Sequence, residues 1–442
     1  MKIVIVGGVA AGMSAAAKIK RDNPSFEVIV LEKGLETSYG ACGLPYYISD
    51  VNPVEELLRI RRAEEFIKSG IDVRLGNEVI KLEPNNKTIT ILDENNNEYM
   101  ESYDICIIAT GASAIVPKLE GVNLKNVFTL KTIEDANKIK SAINDKIKNV
   151  VIVGGGYIGI ELVETFHHLG KKITLIERLD HIMQSFDPDM SDHIKTSLIN
   201  QGVDIRCSET LVKVEGTDFV NRVVTDKAII DADMVILALG VRPNTSFLEG
   251  TGVEMLQNGA IVVDERMKTN IDSIYACGDC ATIYHRILKK NVFIPLGTNA
   301  NKQGRLVAKS IKGEDFRLEV ALGSAMMKVN NLECARTGLS EAEARSNGIN
   351  YGVHTITAQT HAPYYPDSKE IRIKIVYRKP DKVLLGAQLI GEKDVAWRMN
   401  TLAVCIHNEM TLDEISLLDL GYAPPYSMPW DAIHIVAQSV KE

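Results

Sequence analysis

The sequence predicts an α/β protein: two doubly wound parallel-sheet units followed by a smaller C-terminal α+β part. Three observations carry this. Residues 2–32 hold, in order, a short apolar run, a glycine turn, a helix-spaced stretch and a second apolar run ending in an acid. The same order recurs at residues 149–177. From about residue 322 the pattern gives way to alternating, strand-like segments.

Taken in order, residues 2–6 are an apolar run that stops at Gly7-Gly8, and Met13, Ala16 and Ile19 recur at helical spacing. Residues 28–31 are a second run closed by Glu32, and residues 105–111 read as a further buried strand ending in a turn. In the second unit the strand is 149–153, the helix runs from Ile158 to Leu169, and the strand 173–176 ends at Glu177. Strands are expected at 233–239 and 273–276, then at 371–377 and 383–390. Helices are expected at 393–407 and 411–419, and Pro424, Pro425 and Pro429 predict an extended tail. The expected domains are 1–112 with 240–321, then 113–239, then 322–442.

The chain has 442 residues, enough for two to four domains. With 45% hydrophobic and 24% charged residues it is neither disordered nor a disulfide-stapled miniprotein. A net charge of −8 gives no electrostatic support for nucleic-acid binding. The N-terminal run carries one Lys and small residues, the ingredients of a signal peptide. Its small residues fall at loop spacing, however, and a strand ending in an acid follows them, which is a different pattern. No apolar stretch is long enough to span a membrane. Seven scattered cysteines do not form a secreted disulfide framework, so a cytoplasmic location is expected.

The second glycine turn matches G-x-G-x-x-G through Gly154, Gly156 and Gly159, with Tyr157 and Ile158 between the last two. Such glycines allow a tight turn, close backbone approach to a pyrophosphate, and close helix packing. The helix N-terminus then faces the phosphates with its partial positive charge. Glu177, 18 residues past Gly159, is placed to accept hydrogen bonds from ribose hydroxyls. It would repel a 2′-phosphate, and Arg178 beside it would partly offset that, so NADH is expected ahead of NADPH. The first turn keeps Gly7 and Gly12 but has Val9 in the middle slot, so Gly8 must provide the close approach. Glu32 lies 20 residues past Gly12.

Ala109-Thr110-Gly111 closes one strand and residues 276–280, ACGDC, close another, with Asp279 able to bond a flavin's ribityl chain. Cys277 and Cys280 form a C-x-x-C without a second ligand pair, so no metal site is expected.

Together these motifs resemble the FAD- and NAD(P)-dependent pyridine nucleotide–disulfide oxidoreductases over essentially the whole chain. The resemblance implies FAD on the first unit, NADH or NADPH on the second, and a homodimer formed by the C-terminal domain. It places Ala11 and Val79, with Gly7, Gly8, Gly12, Glu32, Thr110, Gly111 and Asp279, around the FAD.

The two-cysteine motif C-x-x-x-x-C is absent, since Tyr47 stands five positions after Cys42. Residues 38–47, SYGACGLPYY, resemble instead the single-cysteine branch, closest to the coenzyme A–disulfide reductases. That resemblance implies Cys42 as the redox centre, holding coenzyme A or another small thiol as a mixed disulfide. Residues 421–427, GYAPPYS, and 361–366, HAPYYP, resemble the branch's tyrosine segments. It implies that tyrosines among Tyr364, Tyr365 and Tyr422 reach the other subunit's cysteine and donate a proton. The His-x-x-x-x-Glu pair of two-cysteine members is missing, because Ser439 follows His434 by five. Ser14, Lys18, Arg21, Ser38, Tyr426 and Trp430 are expected to contact substrate, with Trp430 standing where relatives carry a Lys. Lys20, Arg59, Arg61, Arg62 and Lys68 add basic charge that could meet coenzyme A phosphates.

Three other readings stay open: an NADH oxidase or peroxidase with a Cys42 sulfenic acid, a polysulfide reductase, and a redox-sensing flavoprotein whose partner is a protein. Oxidases and peroxidases of this type carry a His two residues before the last glycine of the first turn. Ala10 stands there and offers no proton.

Overall fold

The computed structural model describes residues 1–315 and 321–441, and the chain divides into two compact units. The first comprises Met1–Ile115, Lys131–Ile133 and Val241–Ala321. Its sheet is parallel throughout, in the order Ile274–Ala276, Ile105–Ile108, Lys2–Val6, Glu27–Glu32, Asp72–Leu75. Central strands of this kind are covered on both faces, so their side chains are apolar without alternation. Ile3, Val4 and Ile5 are completely buried. Helix Ala10–Asp22 turns Met13, Ala16 and Ile19 into the same core, Met13 and Ile19 each contributing roughly 1.5–3 kcal/mol and the Ala16 methyl less. A second helix, Gly297–Lys312, packs on it. Gly304 permits the contact, since a Cβ there would lie 2.2 Å from the Ala11 carbonyl oxygen. A three-stranded antiparallel sheet, Glu78–Glu83, Thr88–Leu92 and Glu98–Ser102, completes this unit's larger elements.

The second unit comprises Val116–Leu130, Glu134–Gly240 and Leu322–Glu442. It repeats the parallel design in the order Asp204–Arg206, Lys172–Ile176, Asn149–Val153, Met234–Leu237, Val127–Phe128. Its C-terminal part is an antiparallel sheet ordered Ala325–Val329, Leu332–Gly338, Leu384–Gly391, Glu370–Arg378, Tyr351–Gln359. Helix Val395–His407 packs against two of those strands.

Two expected elements are shorter than predicted. The strand expected at 233–239 ends at Leu237, whereas that of 105–111 ends at Ile108 and is followed by its turn, as expected. The Ala109 and Ala238 carbonyls there crowd Gly7 and Gly154 instead of continuing a ladder. The helix expected at 411–419 is only Leu412–Ile415. Beyond it the Leu417 and Leu418 amides bond three residues back, to the Glu414 and Ile415 carbonyls, so the chain leaves α-helical register, and the Leu418 carbonyl accepts from His434 Nε2 at 2.8 Å. The proline tail forms no helix or strand from Gly421 to Trp430, and a helix, Ala432–Gln438, follows it.

Candidate active site

In the first unit Gly7 has φ +106°, and a Cβ there would lie 2.2 Å from the Ala109 carbonyl oxygen, so only glycine fits. Val9 is the N-cap of the following helix, with φ −102°. Glu32 reaches back to the turn: its two carboxylate oxygens accept from the Gly8 and Gly34 amides at 2.6 and 2.7 Å. Gly278, φ +82°, brings the ACGD segment against this helix end, where its missing Cβ would lie 2.8 Å from Ala11 Cβ. Asp279 beside it pairs with Lys131 Nζ at 3.0 Å. Thr110 Oγ1 donates to the Asn244 carbonyl at 2.8 Å, and the Asn244 amide donates to the Gly111 carbonyl at 3.0 Å. Val79 is a buried core residue of the antiparallel sheet. Lys131 and Asn244 carry no sequence signal; only the folded chain brings them to Asp279 and to the Thr110 turn.

The second unit repeats the arrangement. Glu177 accepts from the Gly155 and Leu179 amides at 2.7 and 2.8 Å. A Cβ on Gly154 would lie 2.3 Å from the Ala238 carbonyl oxygen, and one on Gly159 would lie 1.9 Å from that of Gly154. Gly156 is different. It caps the helix with φ −81° and ψ −173°, ordinary for any residue, and a Cβ there would meet nothing within 4 Å. Its lack of a side chain leaves open space at a helix N-terminus, which is what an approaching pyrophosphate requires. Tyr157 points its ring inward, and burial raises its phenol above the ordinary value, so the loop would meet a nucleotide through its backbone. The residues present therefore fit a dinucleotide on each unit. Glu161, one turn further along the same helix, is pushed up to about 7 by burial and by the neighbouring Glu164.

Cys42 is exposed, and of the seven cysteines, none of them in a disulfide, it is the one that is. It lies in the short turn Ala41–Gly43 leading into helix Leu44–Ile48. The approach to it is pinned: Ile60 N donates to the Ser38 carbonyl at 2.9 Å and Gly40 N to that of Leu58 at 2.8 Å. Ser38 adopts a left-handed conformation, φ 48°. Gly43 leaves room for Leu58, since a Cβ there would come 2.6 Å from Leu58 Cδ2 and that side chain would have to shift. Cys277 and Cys280 are completely buried, and burial raises both thiols. Cys280 Sγ donates to the Cys277 carbonyl at 3.3 Å.

The tyrosine segments come together in the second unit. The Tyr364 and Tyr422 hydroxyls lie 2.9 Å apart, and that bond raises the Tyr422 phenol above its ordinary value. Tyr365 packs edge-on against His361 and Trp430 against His434. Tyr426 is exposed. His434 has both ring nitrogens engaged, Nδ1 accepting from the Asp431 amide at 3.0 Å and Nε2 donating to Leu418. It is a buried structural group with no nitrogen left for proton transfer.

The basic residues are more engaged than the sequence suggests. Lys18 pairs with Asp22, Arg59 with Glu36 and Glu55, and Arg62 with Glu56. Lys20 donates to the Pro24 and Phe26 carbonyls, and Arg61 stacks on Phe66. Ser14 Oγ donates to Asn301 at 2.8 Å, and Arg21 and Lys68 are exposed.

Two glycine turns with reaching acids, an exposed cysteine on the first unit and an antiparallel C-terminal sheet define a two-dinucleotide redox enzyme. The chain belongs to the pyridine nucleotide-disulphide oxidoreductase family, which matches residues 1–304, with the family's dimerisation domain over residues 324–432. It is an NAD(P)H-dependent flavoprotein oxidoreductase. It is 38% identical to the NAD(P)H coenzyme A polysulfide/persulfide reductase of Pyrococcus horikoshii, over 100% of this chain and 98% of that one. It is 31% identical to a coenzyme A disulfide reductase of Staphylococcus aureus, over 100% of both chains. Among solved structures it is similar to the water-forming NADH oxidase of Lactobacillus brevis bound to NADH, with TM-score 0.96, 31% identity, and 99% and 98% of the two chains covered. No helix among the described residues is long and apolar enough to cross a membrane.

Proposed function

We propose that this protein reduces coenzyme A disulfide, or a related low-molecular-weight disulfide or persulfide, through Cys42. The observation that carries the reading is the exposure of Cys42 alone, on a pinned, glycine-flanked turn. In this reading Gly7, Gly8, Ala11, Gly12, Glu32, Val79, Thr110, Gly111 and Asp279 hold FAD. Gly154, Gly156, Tyr157, Ile158, Gly159 and Glu177 hold the nicotinamide dinucleotide. Ser14, Lys18, Arg21, Ser38, Tyr426 and Trp430 contact the thiol substrate.

The Cys42 thiolate attacks one sulfur of the substrate disulfide. The S–S bond breaks, a mixed disulfide forms on Cys42, and a thiolate leaves. The Tyr364 and Tyr422 hydroxyls share one hydrogen bond in which either can donate, and that contact raises the Tyr422 phenol. Only one of the two hydroxyl hydrogens lies in that bond, so the pair keeps the other to meet the departing thiolate. The chemistry FAD and NAD(P)H would supply when bound is the electron pair that cleaves the mixed disulfide, which returns Cys42 to its thiolate and releases the second thiolate. The enzyme acts as a homodimer, in which the tyrosine pair of one copy serves the cysteine of the other. Seven cysteines, none of them in a disulfide, suit a reducing, cytoplasmic setting.

Ala10 weighs against oxygen or peroxide as acceptor, because it supplies no proton beside the first turn. Losing a positioned acid–base group costs about 10²–10⁴-fold. The test measures oxygen uptake and NADH oxidation with coenzyme A disulfide, coenzyme A persulfide and no acceptor on one preparation. Disulfide- or persulfide-dependent turnover is expected to dominate; a dominant oxygen rate overturns the reading in favour of an oxidase.

A further inference from the structure

The two loops that carry the tyrosines are far apart in sequence and closed separately. Around Tyr364, the Thr360 amide donates to the Lys369 carbonyl at 2.8 Å, and His361 Nε2 donates to the Pro366 carbonyl at 3.1 Å. Around Tyr422, Ser427 Oγ donates to the Gly421 carbonyl at 3.1 Å, and His434 fastens Asp431 to Leu418. These bonds shape each loop and leave open what sets one against the other.

Arg398, on helix Val395–His407, spans the gap. It is completely buried. Its Nη2 donates at 2.6 Å to the Thr360 carbonyl, the neck of the Tyr364 loop. The same nitrogen donates at 2.6 Å to Asp431 Oδ2, at the end of the Tyr422 loop. Nε reaches both Asp431 oxygens at 3.1 Å, and Nη1 donates to the Asp394 carbonyl at 3.0 Å. Asp431 spends its remaining capacity capping helix Ala432–Gln438 through the Ile433 amide at 3.0 Å. A guanidinium is planar, so three acceptors bound to one fork are fixed in angle as well as distance. An apolar residue of similar volume could fill the space but would not set that angle.

We infer that Arg398 is a positioning residue: through Asp431 and Thr360 it holds the two loops in the register that keeps the Tyr364 and Tyr422 hydroxyls in hydrogen-bond contact. The inference rests on the proposed role of that pair in protonating the leaving thiolate. A lysine keeps the buried charge but offers a point donor that cannot bridge all three acceptors. Ångström-scale misplacement of reacting groups costs up to about a hundredfold in rate.

The test is a cycle on the FAD-loaded enzyme, with coenzyme A disulfide as substrate and kcat as readout. Arg398→Lys is made in the native background and in Tyr364→Phe/Tyr422→Phe. Flavin content and Tm are measured for every variant. The expected result is a loss of about tenfold or more in kcat from Arg398→Lys in the native enzyme and less than about twofold where the phenols are already gone. An equal loss in both backgrounds, or no loss in the native one, overturns the inference and leaves the tyrosine reading standing. A Tyr364→Phe/Tyr422→Phe enzyme as fast as the native one removes the tyrosine reading itself, and the inference with it. Should Arg398→Lys fail to fold, Asp431→Asn enters the same cycle with the same expectation, since it keeps the volume and a cap oxygen but loses the charge that the fork grips.

Discussion

Gly156 allows the nucleotide assignment to be tested with binding changed and stability held nearly constant. At this N-cap the backbone lies at φ −81° and ψ −173°, and an added Cβ would meet no atom within 4 Å. Gly156→Ala should therefore leave the fold nearly unchanged. Restricting the unfolded chain gains about 0.4–1 kcal/mol, alanine's poorer N-cap preference offsets a similar amount, and Tm should move by less than roughly 3 °C. If the open space is where a pyrophosphate approaches the helix N-terminus, the same methyl group holds the phosphate away from the turn's amides. Losing one hydrogen bond to a charged group costs about 1.5–3 kcal/mol, so the Kd for NADH should rise about tenfold to a hundredfold. The assay pairs a thermal melt of the FAD-loaded enzyme with an NADH titration followed by fluorescence. An unchanged Kd would falsify the placement of the dinucleotide at this turn. A large fall in Tm would contradict the open space at Gly156.

Three further outcomes are expected. Cys42→Ser should retain FAD and its bleaching by NADH but lose disulfide turnover; near-native turnover would sink the cysteine assignment. Glu177→Ala should narrow the ratio of kcat/KM for NADH over NADPH by about tenfold, the worth of one charge-assisted hydrogen bond; a native enzyme that strongly prefers NADPH contradicts the premise. Glu161→Gln should show a pH-dependent gain in stability. Its folded carboxyl is raised to about 7 from a reference of 4.5, so between those values the folded chain binds a proton that the unfolded chain has lost. The stability this lends is complete below about pH 4.5 and is lost as pH rises through 7. The variant should match the native protein near pH 4.5 and exceed it by about 3 kcal/mol at pH 8 in denaturant unfolding. A difference independent of pH refutes the shift.

What the sequence reveals of this fold follows from burial. Strands such as Lys2–Val6 and Asn149–Val153 are covered on both faces, so each reads as an unbroken apolar run against its glycine turn. The half-exposed antiparallel sheets are harder to see. In Glu78–Glu83 a register irregularity between Val79 and Lys81 breaks the alternation that would announce a strand. Helix Gly297–Lys312 opens on a glycine and carries Gly304 where the Ala11 backbone comes close, so the residue that permits its packing also disguises it. Helix Pro188–Asn200 did carry a signal in Asp187 followed by a proline at its first position.

The candidate site divides along the same line. Glycine turns, the terminal acids and the segment around Cys42 are local, and local patterns survive in a sequence. The pairing of Lys131 with Asp279 joins residues 148 positions apart, and that of Tyr364 with Tyr422 joins residues 58 apart. No spacing rule reaches across such intervals. Arg398 is harder still, because an arginine on a helix is ordinarily a solvated residue, and only burial among three acceptors distinguishes it. Chemistry written in short motifs therefore points to the glycine turns and the proposed nucleophile, while the proposed proton donors depend on long-range placement. Those donors are where substitutions silent in every motif should still change the rate, and the Arg398 cycle measures that dependence directly.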